Sequence, residues 1–339
     1  MTQPVIDMRA EEGTLTRFVG VDDAADLCVI LVNYNTAHLL ERCIGRLRIA
    51  SRDLSVRVVI VDNASRDGSA AIIRNQFPDC VLIANSVNVG FGRANNQALE
   101  FCSGPFVLLL NTDAFVFPDT LGKCLAYMRA QPRCGVLGVT LLDEAGQEVY
   151  KGRAFPDPWS NFLLQTGLSW RPPQETHGRD EVTPAGVVRE CDWVVGCFYM
   201  TRHEVIQKVG LFDPRYFLYF EEVDHCRAVK QSGWTVECLV SASAIHIGGA
   251  SAESEGELSA AGRQISALQI ESELLYFRKH NGLPSLVLTV ALTLLASVIC
   301  GFKWILRWRG LAGLEAIARN AAMVCRLTWR TRLGTRATR

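Results

Sequence analysis

The chain has no net charge, no apolar leader and no complete dinucleotide fingerprint, and each absence narrows what it can do. Thirty-five Lys/Arg balance thirty-five Asp/Glu, so no overall field marks nucleic acid as a partner. Residues 1–26 are polar and acidic, without the sustained apolar core of a secretory signal. Gly90-Phe91-Gly92 opens like a G-x-G-x-x-G loop, but Asn95 stands where the third glycine belongs, which argues against a nicotinamide or flavin enzyme. There is no C-x-x-C pair among the twelve cysteines. Their scatter through apolar runs predicts reduced, mostly buried thiols in a cytosolic protein. Internal repeats and low-complexity linkers are missing as well.

The balanced total hides an asymmetry. From Lys303 onward there are nine Lys/Arg against one acid, Glu315, so the rest of the chain carries a matching negative excess. A basic end suits an anionic surface, and its Trp304, Ile305, Leu306 and Trp308 fit a membrane interface better than a nucleic acid. Just before it, residues 281–302 contain no charge and are flanked by Arg278, Lys279 and His280 on one side and Lys303, Arg307 and Arg309 on the other. The length matches a bilayer-spanning helix. Basic residues on both flanks fit an embedded, re-entrant or interfacial helix equally well, and a buried helix of a soluble core remains the plain alternative.

Between these ends the periodicity alternates. Apolar runs at 27–35, 56–65, 80–92 and 105–114 read as strands buried on both faces, with helices predicted at about 37–49, from near Asp67, and over 93–102. This succession predicts a doubly wound, mostly parallel α/β sheet, whose ligands bind where strand ends open into loops. All four strands end in polar clusters: Asn33-Tyr34-Asn35, Asp62-Asn63-Ala64-Ser65, Asn88 to Asn96, and Asn111-Thr112-Asp113. Further along, 135–143 reads as a strand, 151–186 as loop and 190–202 as one strand. Residues 234–240 read as a short strand leading into a Gly-rich loop at 244–253, and 258–280 as an amphipathic helix.

Two features carry chemistry. Asp113 directly follows a buried strand, where a carboxylate can hold a hard divalent cation; His246, before Gly248-Gly249, could supply an imidazole, and the glycines would let backbone amides approach a diphosphate. The stretch "FLYFEEVDHCRAV", 217–229, places Glu221, Glu222 and Asp224 within four positions behind an aromatic run. Acids there suit a solvated helix N-terminus. They also suit a general base whose pKa is raised by its neighbours.

Taken together, "VNYN", "VDNASRDGS", "NVGFGRANNQAL", "LLLNTDA", "GLFDPRYFLYFEEVDHCRAVKQSGW" and "HIGGAS" resemble the inverting family 2 glycosyltransferases of GT-A fold, in particular the rhamnosyltransferase-like branch. The likeness covers roughly 27–280, leaving 1–26 as a polar extension and 281–339 as an apolar, basic, membrane-associating segment. It implies a nucleotide-sugar donor, dTDP-rhamnose by first expectation, and a saccharide or polyprenyl-diphosphate-linked acceptor. It further implies a divalent metal, Mg²⁺ or Mn²⁺, and work at the cytoplasmic face of the cell membrane in cell-surface polysaccharide synthesis. The nucleotide would meet Asn33, Asn35 and Asp62, with Asn88, Gly90 and Asn96 in the loop closing over it and Asn111 and Gly248 nearby. Asp113 and His246 would hold the metal, Glu222 would be the base with Glu221 and Asp224 beside it, and Trp193 would face the acceptor sugar. Two departures stand out: the first acid of the family's D-x-D is Asn111, and its Glu-Asp pair is Glu221-Glu222. A nucleotidyltransferase would need an N-terminal Gly-rich basic loop, which "NYNTAHLL" does not provide. A non-catalytic sugar-nucleotide-binding protein would not need Asp62, Asp113, Glu222 and His246 together.

Overall fold

In a computed structural model, residues 18–20, 25–168, 178–248, 263–306 and 311–339 are described. The four apolar runs form β1 (Leu27–Asn33), β2 (Val56–Asp62), β3 (Val81–Ala84) and β4 (Phe106–Asn111), all parallel and ordered β3-β2-β1-β4. They are joined over the sheet by α1 (Ala37–Ala50), α2 (Ser69–Gln76) and α3 (Phe91–Ala98). Alternate residues of β1 serve two cores: Leu27, Val29 and Leu31 pack with α1, and Cys28 and Ile30 pack with the α3 side. This two-sided burial is what a near-continuous run of β-branched residues requires.

Beyond β4 the sheet becomes mixed. After β5 (Ala114–Val116), α4 (Thr120–Ala130), β6 (Cys134–Leu142) and β7 (Glu148–Tyr150) come α5 (Pro158–Thr166), β8 (Glu181–Thr183), β9 (Gly186–Glu190) and β10 (Phe198–Arg202). Next are α6 (His203–Val209), α7 (Glu221–Gln231) and β11 (Thr235–His246). β10 inserts antiparallel between β4 and β6, and β11 runs parallel to β6.

Four expectations are corrected here. Residues 151–186 are not all loop: Asp157 caps α5 by accepting from the amides of Trp159 and Ser160, and Pro158 starts it. The stretch 190–202 is not one strand. It ends β9 and begins β10, which occupy separate places in the sheet, and 191–197 is the loop between. Residues 244–246 are not loop but the end of β11, held by pairing with β5. The cysteines are not all reduced thiols either: Cys28 of β1 is bonded to Cys102, because the turn after α3 brings their Cα atoms to 5.5 Å. The other ten are free.

The C-terminal part is a bundle. α8 (Arg263–Leu306) breaks at Gly282 (φ 77°, ψ −173°) into arms 263–281 and 283–306, and α9 (Leu311–Arg330) follows. Leu274 and Ile270 of the first arm share a cluster with Leu286 and Val290 of the second and with Met323 and Leu327 of α9. The first arm also packs on α7 and the segment before it: Tyr276 and Phe277 cluster with Tyr216 and Val223.

One buried cation ties the N-terminal edge together. Arg57, the second residue of β2 and 1% exposed, donates to the carbonyls of Gly20 (2.7 Å) and Phe101 (3.1 Å) and to the Ser103 hydroxyl. Replacing it by methionine leaves those acceptors unsatisfied in an apolar setting. Arg57→Met is expected to destabilise the fold by about 3 kcal/mol in chemical denaturation; a loss below about 0.5 kcal/mol would show the contacts to be dispensable.

Candidate active site

The ends of β1 and β2 form one hydrogen-bonded unit. Asn33, fully buried, donates to Asp62 (2.7 Å) and Ser65 (3.0 Å) and accepts from Thr36 (2.7 Å). Asn35 takes a left-handed φ of 53°; its backbone amide donates to Ser65, and its side chain accepts from the Arg66 amide. Asp62 also caps the turn by accepting from the Ser65 amide (3.1 Å). The structure thus brings Asn33, Asn35 and Asp62 together, with Ser65 as the shared partner.

The loop before α3 faces another way. Asn88 accepts from the Gly90 amide and from Asn63, and Asn63 accepts from Val89 in turn. Asn63 was visible in the sequence only as part of a polar cluster, yet it links two strand ends. Gly90 (φ 90°) lies so close to the next segment that a Cβ would meet the Phe217 carbonyl at 2.6 Å. The Phe91 amide donates to that same carbonyl. Asn96 uses both ends of its amide on Phe212, donating to its carbonyl (2.7 Å) and accepting from its N–H (3.1 Å). Residues 88–96 therefore buttress the 212–222 segment.

That segment is strained where it enters α7. Tyr219 (φ 70°) and Phe220 (φ 68°) are consecutive left-handed residues without being glycine, a conformation costing about 1–3 kcal/mol each. Neighbours hold it: Ser272 donates to the Leu218 carbonyl (2.9 Å), and the Phe220 ring packs on Tyr276 at 5.3 Å. The strain aims Glu221 and Glu222 inward from the first turn. Each keeps one buried carboxyl oxygen, Oε2, with no hydrogen-bond partner. Burial, then the charge of Glu222, pushes the Glu221 carboxyl well above its ordinary range. Burial pushes Glu222 up to about 7, against the pull of the amides of Glu222, Val223 and Gly196. Gly196 lies in the loop that continuous strand periodicity concealed.

Asp224 belongs to a different assembly. It accepts from His280 (2.6 Å), Lys279 (2.7 Å) and Tyr216 (3.2 Å). Burial would raise its pKa, but His280 and Lys279 outweigh that and lower it. It anchors α7 to the first arm of α8 and is not part of the raised pair. His225, fully buried, accepts from Tyr199 at Nδ1 (2.5 Å) and donates to the Gly210 carbonyl (2.9 Å) at Nε2; burial holds its pKa down to about 4. Trp193 donates to the Ala154 carbonyl (2.9 Å), with the Arg153 guanidinium 5.9 Å from its ring.

The third group sits at the end of β4. Because β5 pairs with β11, Ala114 faces His246 and the Ile247 amide donates to the Asp113 carbonyl. His246 Nε2 lies 3.4 Å from Asp113 Oδ1. Burial would lower the imidazole's pKa, but Asp113 and Cys197 outweigh it and push it up to about 10. Two residues before Asp113, at the end of β4, Asn111 Oδ1 is buried without a hydrogen-bond partner. A carboxylate, an imidazole and an unsatisfied amide oxygen fit a divalent ion of the Mg²⁺–Mn²⁺ class. Among the described residues no group of three His, Cys, Asp or Glu side chains gathers around an ion, so the remaining positions would fall to other oxygens. Gly248 (φ 74°) follows directly, with His246 as its only near neighbour; Gly249 lies outside the described residues.

Comparison with known proteins bears on the family and the fold. Residues 28–185 match the glycosyl transferase family 2 profile. An N-acetylglucosaminyl-diphospho-decaprenol L-rhamnosyltransferase of Mycobacterium tuberculosis is 28% identical over 239 residues, covering 65% of this chain and 75% of that one. The rhamnosyltransferase WbbL of Escherichia coli K12 is 27% identical over 168 residues, covering 46% and 60%. A mannosyltransferase of Pyrobaculum calidifontis, solved with GDP-Man and Mn²⁺, superposes with a TM-score of 0.51 at 14% identity, over 94% of this chain and 90% of that one. The fold is GT-A.

Two outcomes follow from the packing and the carboxyl pair. Gly90→Ala forces a Cβ onto the Phe217 carbonyl and should destabilise the protein by about 2–4 kcal/mol; a wild-type denaturation midpoint would mean the loop yields freely. A carboxyl whose pKa is raised on folding binds its proton more tightly in the native state, so its contribution to stability falls as pH rises from about 4.5 to about 7. Glu222→Gln should therefore melt above wild type at pH 8 and close to it at pH 4, as read by thermal unfolding at both pH values.

Proposed function

The chain belongs to glycosyl transferase family 2, and from that premise we propose an inverting, metal-dependent transfer of rhamnose from dTDP-rhamnose to a hydroxyl of a polyprenyl-diphosphate-linked saccharide. The supporting observation is the Glu221–Glu222 pair, raised in pKa, with one buried carboxyl oxygen on each left without a partner. Inversion is a single in-line displacement at the anomeric carbon, so the acceptor hydroxyl must lose its proton as it attacks. Glu222, whose pKa burial pushes up to about 7, accepts that proton, with Glu221 beside it in the same helical turn. Asp62 and the backbone at Val32–Asn35 hold the nucleoside, set by the Asn33–Asp62–Ser65 network. Asp113, His246 and Asn111 would hold a divalent ion, which would supply positive charge to the diphosphate leaving group. Gly248 leaves room for a phosphate beside them, and Trp193 offers an aromatic face to the acceptor sugar.

The rhamnose rests on the names of the mycobacterial and E. coli relatives and the lipid-linked acceptor on the mycobacterial name alone; dTDP as the carrier rests on the resemblance of the motifs. An acceptor of that kind lies in a bilayer, and α8 is long and apolar enough to cross one by length and composition. The basic C-terminal segment would add attraction to an anionic leaflet of about 1 kcal/mol per Lys or Arg near the surface. We place the enzyme at the cytoplasmic face of the cell membrane, where nucleotide sugars are made.

Purified protein screened against nucleotide sugars with Mg²⁺ or Mn²⁺ tests this reading. One donor should bind in a metal-dependent manner, with dTDP-rhamnose first. Asp113→Ala should lose that binding, while Glu222→Gln should keep it and lower turnover by about 10²–10⁴-fold. Binding that ignores the metal, or turnover intact in Glu222→Gln, would refute the assignment.

A further inference from the structure

The second arm of α8 has two unlike faces. Leu283, Val287, Leu295, Val298, Phe302 and Ile305 are all at least 40% exposed, and Phe302 reaches 62%. At about 100° per residue they fall within an arc of about 120°, a single stripe along a helix about 36 Å long. The opposite face is covered by protein. Leu286, Thr289 and Ala296 are buried there, and Lys303 donates to the Thr166 carbonyl of α5 (2.7 Å).

What covers that inner face decides how the stripe can meet a membrane. The first arm runs beside it, with Leu274 and Ile270 against Leu286 and Val290, and it carries Glu271, Glu273, Arg278 and Lys279. α9 runs back along it, with Leu314 at Gly301, Met323 and Leu327 at Val290 and Leu286, and it carries Glu315, Arg319, Arg326 and Arg330. The C-terminal end is also tied back, to the first arm and to the segment before α7. Thr338 bonds both oxygens of Glu271 (2.6 and 2.7 Å), and the Arg339 guanidinium lies 5.1 Å from the Phe217 ring. A spanning second arm would draw two charged helices through hydrocarbon with it, at a severe desolvation cost.

We propose that this arm does not cross the bilayer but lies in the plane of one leaflet, its exposed stripe sunk to about 5–10 Å, as a monotopic anchor for an anionic lipid surface. The inference rests on the membrane reading given above and settles its geometry. Amphipathic helices with one apolar face and basic flanks bind in this manner, and the Arg-rich α9 and C-terminal residues supply the flanking charge. Through Tyr276 on Phe220 and Ser272 on Leu218, the anchor is packed directly onto the segment that presents Glu221 and Glu222. The acidic pair is thereby held beside the leaflet surface, within reach of a sugar carried on a membrane-embedded lipid.

Depth measurement on the full chain tests this. Val287→Cys, Leu295→Cys and Phe302→Cys, each in a Cys80→Ser, Cys300→Ser, Cys325→Ser background, are labelled with an environment-sensitive fluorophore. They are mixed with vesicles of phosphatidylcholine and phosphatidylglycerol at about 3:1, carrying quenchers at shallow or deep acyl positions. The protein should float with the vesicles, and all three labels should show the same shallow depth. A deep label at 295 between shallow labels at 287 and 302 would mean a spanning helix and overturn the inference while leaving membrane association intact. No flotation would overturn both. Labels already shielded without vesicles, in a chain that sediments as a dimer, would assign the stripe to a second copy and overturn it too.

Discussion

Keeping two adjacent glutamates out of water is expensive, because each disfavours the charge of the other and burial disfavours both. The surroundings of α7 offset that cost by rigidity. Two left-handed residues, Tyr219 and Phe220, set the entry to the helix. Asn96 grips the backbone of Phe212, and Phe91 grips that of Phe217. His225 fixes the same helix from within, neutral and bonded at both ring nitrogens. Asp224 fixes it from the far side through Lys279 and His280. Remove these ties and the carboxylates would swing toward solvent, where their pKa returns to the ordinary range.

The parallel half of the fold was readable because each of its strands is a local apolar run followed by polar residues, although β3, at the edge of the sheet, is only partly buried and not covered on both faces as its sequence suggested. The mixed half was not, since the insertion of β10 between β4 and β6 is a long-range pairing with no local mark. A run such as 190–202 stays apolar through its loop, so periodicity cannot show that Gly196 breaks away to reach Glu222. The site itself was legible in part. Asn33, Asp62, Asp113 and His246 sit at strand ends, where a doubly wound sheet opens. Three carboxylates within four positions look alike in sequence; partners more than fifty residues later separate Asp224 from the other two. Asn88 and Asn96 were equally ambiguous, since the amide that could touch a nucleotide is also the best clamp for a neighbouring backbone.

The Cys28–Cys102 bond and Arg57 act on the same edge of the sheet. One joins β1 covalently to the end of the α3 turn, and the other gathers the carbonyls of Gly20 and Phe101 around a single guanidinium. Both lie away from the acidic pair, behind the strands whose other ends carry the nucleotide-side residues. Stiffness at this edge keeps the β1 and β2 termini in register while the opposite ends remain open to a ligand.

The short pairing of β5 with β11 has a consequence for the order in which the protein becomes competent. Asp113 and His246 are 133 positions apart, yet they meet only through this pairing, and contacts of such separation form late because loop-closure entropy must first be met. A chain that has folded only its parallel half could present the Asn33–Asp62 end of the pocket but not the Asp113–His246 end. On the function proposed above, a nascent copy would then lack the metal end on which donor binding depends, and activated donor would not be lost to water on unfinished enzyme.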